Sequence, residues 1–224
     1  MNFILKEMTY LRYFMPLIIE GNKRGVKSVL YVGRNKKYNN PWFFAEELQA
    51  LSIKHSFVIK DVSEAANCEG LTFVIEGVEV NKLNRLNTKI VSLTYMTDFY
   101  PLMDDYADLV DHIIMPSKPF ADYLGYHNPK NLYLGSPKYD VVLNKEQITE
   151  KYNLSDNKKA LFVAPRLRDA SRIDIPRLFK ILKDQGFDIV VKTRGKDPMP
   201  SNLRGDYYFA DDCWFPHTSM ELIA

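Results

Sequence analysis

Short apolar runs alternate with longer amphipathic stretches along almost the whole chain. Several of the runs in the first half are continuous rather than alternating, which is typical of parallel strands covered on both faces. Together with the amphipathic stretches between them, they predict βαβ units and a parallel sheet. The predicted strands are 3–5, 28–32, 57–59, 72–75, 90–93, 112–115 and 132–134.

Local signals predict where some of the helices begin and end. Asn40 and Pro41 precede the apolar stretch WFFAEELQAL, and they supply a cap residue and then a proline for the first turn. Ser117, with Pro119 just inside, predicts the start of another helix, which Gly125 can end.

A proline, Pro16, occurs in the stretch YFMPLIIEG, where the first helix is predicted. A proline inside a helix costs about 3 kcal/mol, whereas a proline in the first turn costs little. The sequence therefore predicts that Pro16 begins this helix. Residues 6–13 are then expected to form most of the loop after the first strand.

The pattern changes near Gly135, where the stretch LYLGSPKYD ends a strand in a Gly-Ser-Pro turn. A polar helix is predicted in LNKEQITEKYNL, and the strand–helix alternation restarts at Lys159. The predicted organisation is an N-terminal domain over 1–140, a linker over 141–157 and a second α/β domain over 158–224. Only about three strands are predicted in the second domain, so we expect it to be incomplete. Its predicted elements are strands at 160–164, 188–193 and 206–210, a helix in DIPRLFKILKDQG and a final helix in SMELIA. Asp174 is expected near the cap of the first of these helices and Gly186 just past its end.

Composition excludes several classes of protein. The chain is 46% hydrophobic and 13% aromatic, which argues against disorder. Its net charge of +2 is too small for a dedicated nucleic-acid binder. Cys68 and Cys213 form no CxxC pair and the histidines lack ligand spacing, so we expect neither a disulfide nor a protein-bound metal. Without a signal peptide or a spanning segment of about 20 residues, a cytoplasmic location is expected. Peripheral contact with a membrane stays open.

Positive charge is concentrated in one region. Residues 158–196 contain 11 Lys or Arg against 4 Asp. Arg166 and Arg168 follow a predicted parallel strand, at the end where open α/β sheets bind ligands. A guanidinium can bind phosphate oxygens bidentately, so a nucleotide diphosphate would fit there. The alternative is a solvated basic turn, and the same two interpretations apply to Lys192 and Arg194 after the next strand.

Two motifs carry a resemblance to known enzymes. The stretch APRLRDA resembles the Ala-Pro-x-x-Arg-Asp motif of CDP-glycerol glycerophosphotransferases, matched at Ala164, Pro165, Arg168 and Asp169. The stretch LYLGSPKYD is similar to the turn that ends the N-terminal domain of GT-B nucleotide-sugar enzymes, which include UDP-GlcNAc 2-epimerases. The residues of this interdomain turn are Gly135, Ser136, Pro137, Lys138 and Asp140. The resemblance implies two Rossmann-like domains, with the acceptor on the first and the nucleotide on the second.

The chain departs from the glycerophosphotransferase pattern at two histidines. Tyr95, in TYMT, stands where that family carries a histidine as base, and Arg194, in VKTRGK, aligns with a second histidine. A tyrosine with a pKa near 10 is a poor base at pH 7. These departures favour sugar transfer over polyol-phosphate transfer.

A carboxylate is the expected replacement for the missing base. Asp98 follows a predicted strand end and is the candidate general base, with a helix cap or loop role as the alternative. Glu76, which also ends a strand, is a further candidate at the acceptor site. The residues Thr9, Tyr10, Arg12 and Tyr95 are expected to lie near the acceptor.

The resemblance implies a transferase without a cofactor that serves surface or capsular polysaccharide assembly. Its partners would be a nucleotide-activated sugar or polyol and an acceptor glycan or polyol. The alternatives are a polyol-phosphate transferase, a 2-epimerase, or a non-catalytic binding or assembly module.

Overall fold

The computed structural model describes residues 1–33, 45–95, 106–163, 174–192, 205–209, 215–216 and 218–223. The chain divides into two compact units, Met1–Val141 and Val142–Ala224. Each unit contains a parallel sheet with α-helices, so the predicted α/β class is confirmed. Among the described residues, no helix is long and apolar enough to cross a membrane.

The first unit is built on a seven-stranded sheet in which every neighbouring pair is parallel. Its spatial order is β3-β2-β1-β4-β5-β6-β7. All seven predicted strands are present, shifted by at most two residues at an end. The strands are β1 (Asn2–Leu5), β2 (Val29–Val32), β3 (Val58–Asp61), β4 (Gly70–Ile75), β5 (Thr88–Leu93), β6 (His112–Met115) and β7 (Asn131–Tyr133).

The strand order reverses between β1 and β4. From β1 the chain builds outwards through β2 to β3, and it then returns to the other side of β1 with β4. In open parallel sheets the loops at such a reversal diverge and leave a crevice at the carboxyl ends of the strands. In this unit the crevice is expected where β1, β4 and β5 end.

The continuous apolar runs are explained by packing on both faces of the sheet. Phe3 stacks on Phe73 at 5.2 Å between ring centroids and meets Phe14 of helix α1 (Leu11–Lys23) at 5.3 Å. The next residue, Ile4, points to the opposite face and belongs to the buried cluster that includes Ala121. Helix α2 is Ala45–His55, and helix α3 is Lys118–Leu124.

The predicted ends of α3 are confirmed. The Ser117 hydroxyl accepts a hydrogen bond from the backbone N–H of Phe120, which satisfies one of the free donors of the first turn. At the other end Gly125 adopts a left-handed conformation with φ 66°. The start that was predicted at Asn40 and Pro41 lies outside the described residues, which resume inside this segment, where α2 begins at Ala45.

The predicted position of Pro16 is wrong, because this proline lies inside α1, five residues after the first residue of the helix. A 3-10 turn over Met8–Tyr10 leads directly into the helix. Proline has no N–H to donate to the carbonyl of Arg12. However, Phe14, Met15 and Ile18 are completely buried. Burial of each of these side chains contributes about 1.5–3 kcal/mol of stability, so together they outweigh a proline cost of about 3 kcal/mol.

The second unit contains a three-stranded parallel sheet in the order β10-β9-β8. Its strands are β8 (Lys159–Val163), β9 (Asp188–Lys192) and β10 (Tyr207–Phe209). Its helices among the described residues are α4 (Lys145–Tyr152), α5 (Ile175–Asp184) and α6 (Thr218–Ile223). Helix α4 lies within the segment that was predicted as a linker. Asp174 caps α5 as predicted, since its side chain accepts from the Arg177 N–H.

Two carboxylates tie the elements of the second unit together. Glu221 of α6 is buried and accepts hydrogen bonds from the Tyr152 hydroxyl and the Lys151 ammonium of α4. Asp206 accepts from the Ile189 N–H at 2.7 Å and forms an ion pair with Lys183 at 2.7 Å. These contacts fix α6 on α4, and the start of β10 on β9 and α5.

Candidate functional site

Polar and aromatic side chains meet at the carboxyl edge of the first sheet, beside the reversal of strand order. They come from the loop after β1 and the start of α1, from the ends of β4 and β5, and from the turn after β7. We call this group the carboxyl-edge cluster. Its members are Tyr10, Arg12, Tyr13, Glu76, Tyr95 and Lys138.

Tyr95 is the centre of the cluster and is held by three hydrogen bonds. Its backbone N–H donates to the Glu76 carboxylate at 2.9 Å. Its carbonyl oxygen accepts from the Tyr13 hydroxyl at 3.1 Å, and its own hydroxyl accepts from the Arg12 guanidinium at 2.9 Å. Because both the backbone and the side chain are anchored, the position of this ring is fixed by two other segments, helix α1 and the turn after β4.

Glu76 occupies an unusual backbone conformation immediately after β4. Its φ is 47°, and Gly77 and Glu79 follow with φ of 70° and 61°. A left-handed conformation at a non-glycine residue is costly and concentrates at functional sites. The Glu76 N–H donates to the carbonyl of Leu93 at 3.2 Å, which extends the β4–β5 ladder by one step. The turn thereby aims the Glu76 carboxylate at the backbone of Tyr95.

Arg12 lies over two tyrosine rings. Its guanidinium carbon is 5.2 Å from the centroid of the Tyr95 ring and 5.7 Å from that of Tyr13. Among the residues that the structure describes, no carboxylate lies within ion-pair distance of this guanidinium. Its Nε atom is buried and has no hydrogen-bond partner there. Arg12 is therefore positioned by aromatic faces and one hydroxyl rather than by an acidic partner.

Lys138 reaches the same tyrosine from the turn after β7. Gly135 begins this turn with φ 88°, and a 3-10 turn over Pro137–Tyr139 packs against α1. The Lys138 ammonium lies 5.4 Å from the Tyr13 ring centroid and 4.7 Å from that of Tyr139. Two positive groups therefore contact the Tyr13 ring. The other residues of the predicted interdomain turn, Ser136 and Asp140, flank this 3-10 turn.

Tyr10 and Tyr13 are hydrogen-bonding groups and not bases. Burial, and then the negative charge of Glu7, raises the pKa of Tyr10 far above its usual range. Burial also raises the pKa of Tyr13, while the charges of Lys138 and Arg12 partly oppose that rise. Both phenols therefore stay protonated at neutral pH. The cluster can bind and orient a polar ligand, but these two hydroxyls cannot accept its proton.

The structure brings four of the predicted acceptor residues together: Tyr10, Arg12, Glu76 and Tyr95. Tyr10 joins through its ring, which lies 5.5 Å from that of Tyr95. The fifth, Thr9, is half-buried in the 3-10 turn before α1, and its hydroxyl lies 3.5 Å from the Glu7 carboxylate.

The sequence did not predict Tyr13 as a site residue. Pro16 had been expected to begin the helix, and this assigned Tyr13 to a loop. The helical spacing of Tyr10, Tyr13 and Phe14, together with full burial of Tyr13, puts its ring on the face of α1 that meets the sheet. A helix extended backwards through the proline would have predicted this.

The predicted donor residues lie mostly outside the described part of the chain. Arg166, Arg168, Arg194 and the candidate base Asp98 all fall there. Lys192 is described: it is the last residue of β9, at the carboxyl edge of the second sheet, and it is only 3% exposed. Among the described residues, no group of three His, Cys, Asp or Glu side chains could hold a metal ion.

Comparison with known proteins assigns no family. The sequence matches no protein-family model, and no curated protein gives a significant match. A functional assignment therefore rests on the residues and on the geometry of the two sheets.

Proposed function

We propose that the protein is a transferase of GT-B type that moves a sugar from a nucleotide-activated donor to an acceptor hydroxyl. The first unit would bind the acceptor and the second would bind the nucleotide diphosphate. The observation that carries the proposal is the carboxyl-edge cluster, in which residues from four separate segments meet where the strand order reverses.

The nucleotide diphosphate is assigned to the carboxyl edge of the second sheet. Arg166 and Arg168 follow β8 in the sequence, and Arg194 follows β9. A departing diphosphate accumulates negative charge, which forked guanidinium groups stabilise. Lys192, at the end of β9, would add a positive charge to this edge.

Asp98 is the proposed general base. It lies three residues after Tyr95, whose backbone is anchored to the cluster. In the proposed reaction the acceptor hydroxyl gives its proton to the Asp98 carboxylate while its oxygen attacks the anomeric carbon. The bond from that carbon to the diphosphate oxygen breaks, and the diphosphate leaves with the electron pair.

Polyol-phosphate transfer and 2-epimerisation would use the same class of nucleotide donor. Tyr95 and Arg194 stand where the glycerophosphotransferase pattern has histidines, which favours sugar transfer. A non-catalytic module would not bind this class of donor, so nucleotide binding separates it from all three enzymes.

The first experiment measures nucleotide binding. UDP or CDP should raise the melting temperature, because a ligand that binds only the native state stabilises it by about 2.7 kcal/mol at 100 times its Kd. Replacing Arg168 with alanine should weaken binding by about 1.5–3 kcal/mol, or roughly ten- to hundredfold, by calorimetry. Arg177→Ala is the matched control, since Arg177 is exposed on α5. Equal affinity in both variants would remove the diphosphate assignment.

The second experiment separates chemistry from binding. Asp98→Asn should abolish sugar transfer and leave the Kd for UDP or CDP unchanged. Asp108→Asn is the control, because Asp108 is an exposed carboxylate ten residues further along. Full activity of Asp98→Asn would show that another group accepts the proton.

A further inference from the structure

Two positive groups of the first unit, Arg12 and Lys138, contact one aromatic surface. Both pack against Tyr13, and Arg12 also packs against Tyr95. Neither has a carboxylate within ion-pair distance among the residues that the structure describes. The one carboxylate of the carboxyl-edge cluster, that of Glu76, accepts from the backbone of Tyr95.

An aromatic face attracts a cation without neutralising it. The negative face of the ring stabilises a guanidinium or ammonium, but it gives few of the strong acceptors that these N–H groups can use. A guanidinium has five N–H donors, and Arg12 uses one in its described hydrogen bond, to the Tyr95 hydroxyl. The Nε atom is buried with no described partner. Positive charge and unpaired donor capacity are therefore present at this edge.

We propose that Arg12 and Lys138 bind an oxyanion, a phosphate or a carboxylate, that is part of the acceptor. The inference rests on the proposed function, because it assigns the acceptor to the first unit. A guanidinium fork matches the oxygens of either group, and a second positive charge from Lys138 favours an anion over a neutral polyol. The acceptor of this transferase is then a charged molecule rather than a neutral sugar.

The test measures the binding of small charged and neutral acceptor analogues to the whole protein. Glycerol 3-phosphate and glucuronate are titrated by calorimetry beside glycerol and glucose. The wild-type protein should bind one or both anions at least tenfold more tightly than the matching neutral compound. The anion that binds more tightly identifies the group as phosphate or carboxylate. Higher salt should weaken the binding.

The variants locate the binding. Arg12→Gln and Lys138→Gln should each weaken the preferred anion about tenfold or more. Arg24→Gln should not, since Arg24 is 74% exposed and lies at the end of the same helix. Lys138→Gln changes a half-buried side chain in a turn, so it tests the site even if Arg12→Gln proves unstable. Equal affinity of wild type and Lys138→Gln, or equal affinity for anion and neutral analogue, would overturn the inference.

UDP titrations of the same variants separate this inference from the proposed function. If UDP binding is lost in Arg12→Gln and Lys138→Gln, these residues bind the donor and the inference is wrong, although a nucleotide site exists. If the wild type binds the anion through both residues but binds no nucleotide diphosphate, the oxyanion site stands and the transferase proposal fails. Unchanged UDP affinity with weakened anion affinity supports both.

Discussion

Replacing Gly77 with alanine should strongly destabilise the first unit. Gly77 follows Glu76 in the turn after β4 and has φ 70°. A Cβ atom there would lie 2.4 Å from Cβ and 2.5 Å from Cγ of Tyr106. The Cβ of Tyr106 is bonded to the backbone of a buried residue and does not move when the side chain rotates, so rotation cannot relieve the overlap.

The expected loss has two parts. A left-handed conformation costs a non-glycine residue about 1–2 kcal/mol. Overpacking in a dense interior costs about 1–3 kcal/mol more. Gly77→Ala should therefore lose roughly 2–5 kcal/mol, which is a large share of a typical stability of about 5–15 kcal/mol.

Gly125→Ala separates the two parts. Gly125 has φ 66°, nearly the same as Gly77, but a Cβ there meets nothing within 4 Å. It should lose only the conformational cost of about 1–2 kcal/mol. Hydrogen exchange of peptides from β4 and β5, measured against urea concentration, gives the opening free energy of this unit alone. Equal losses in the two variants would refute the packing argument.

Two further predictions concern pH and the second unit. The hydrogen bond from Ile189 and the ion pair with Lys183 lower the pKa of Asp206. The stability that the ionised carboxylate contributes is therefore present above the ordinary aspartate pKa of about 4, and it is lost as pH falls through the lower pKa of the folded state. The difference in unfolding free energy between wild type and Asp206→Asn should narrow below about pH 4, and a constant difference would contradict this. Burial, and then the hydrogen bond to Glu221, raises the pKa of Tyr152 to about 12. The stability that the protonated Tyr152 hydroxyl contributes is complete below about pH 10 and is lost as pH rises towards 12. The melting temperatures of wild type and Tyr152→Phe should therefore converge over that interval. A constant difference between the two melting temperatures would show that the pKa of Tyr152 is not raised.

The strands and one helix were predictable because their signals are local. Side chains such as Phe3 and Ile4 are buried on opposite faces, so a parallel strand is apolar throughout. The start of α3 follows from the side-chain oxygen of Ser117, which caps the first turn. Its end follows from Gly125, whose lack of a Cβ allows the left-handed conformation.

The rest depends on distant contacts that no local pattern contains. Pro16 is tolerated inside α1 because the buried face of that helix packs on the sheet, which a local rule for proline does not include. Tyr13, Tyr95 and Lys138 meet only because of the strand order and the return of the turn after β7. Their separations in sequence carry no sign of this contact.

The assignment of the nucleotide donor to the second unit and the acceptor to the first is tested most directly by hydrogen exchange mass spectrometry with and without UDP or CDP. The account predicts that a bound nucleotide slows exchange in peptides that cover 160–174 and 188–205, while peptides from 1–33 keep their rates. No binding of either nucleotide, or slower exchange confined to the first unit, would contradict the assignment of the donor to the second sheet.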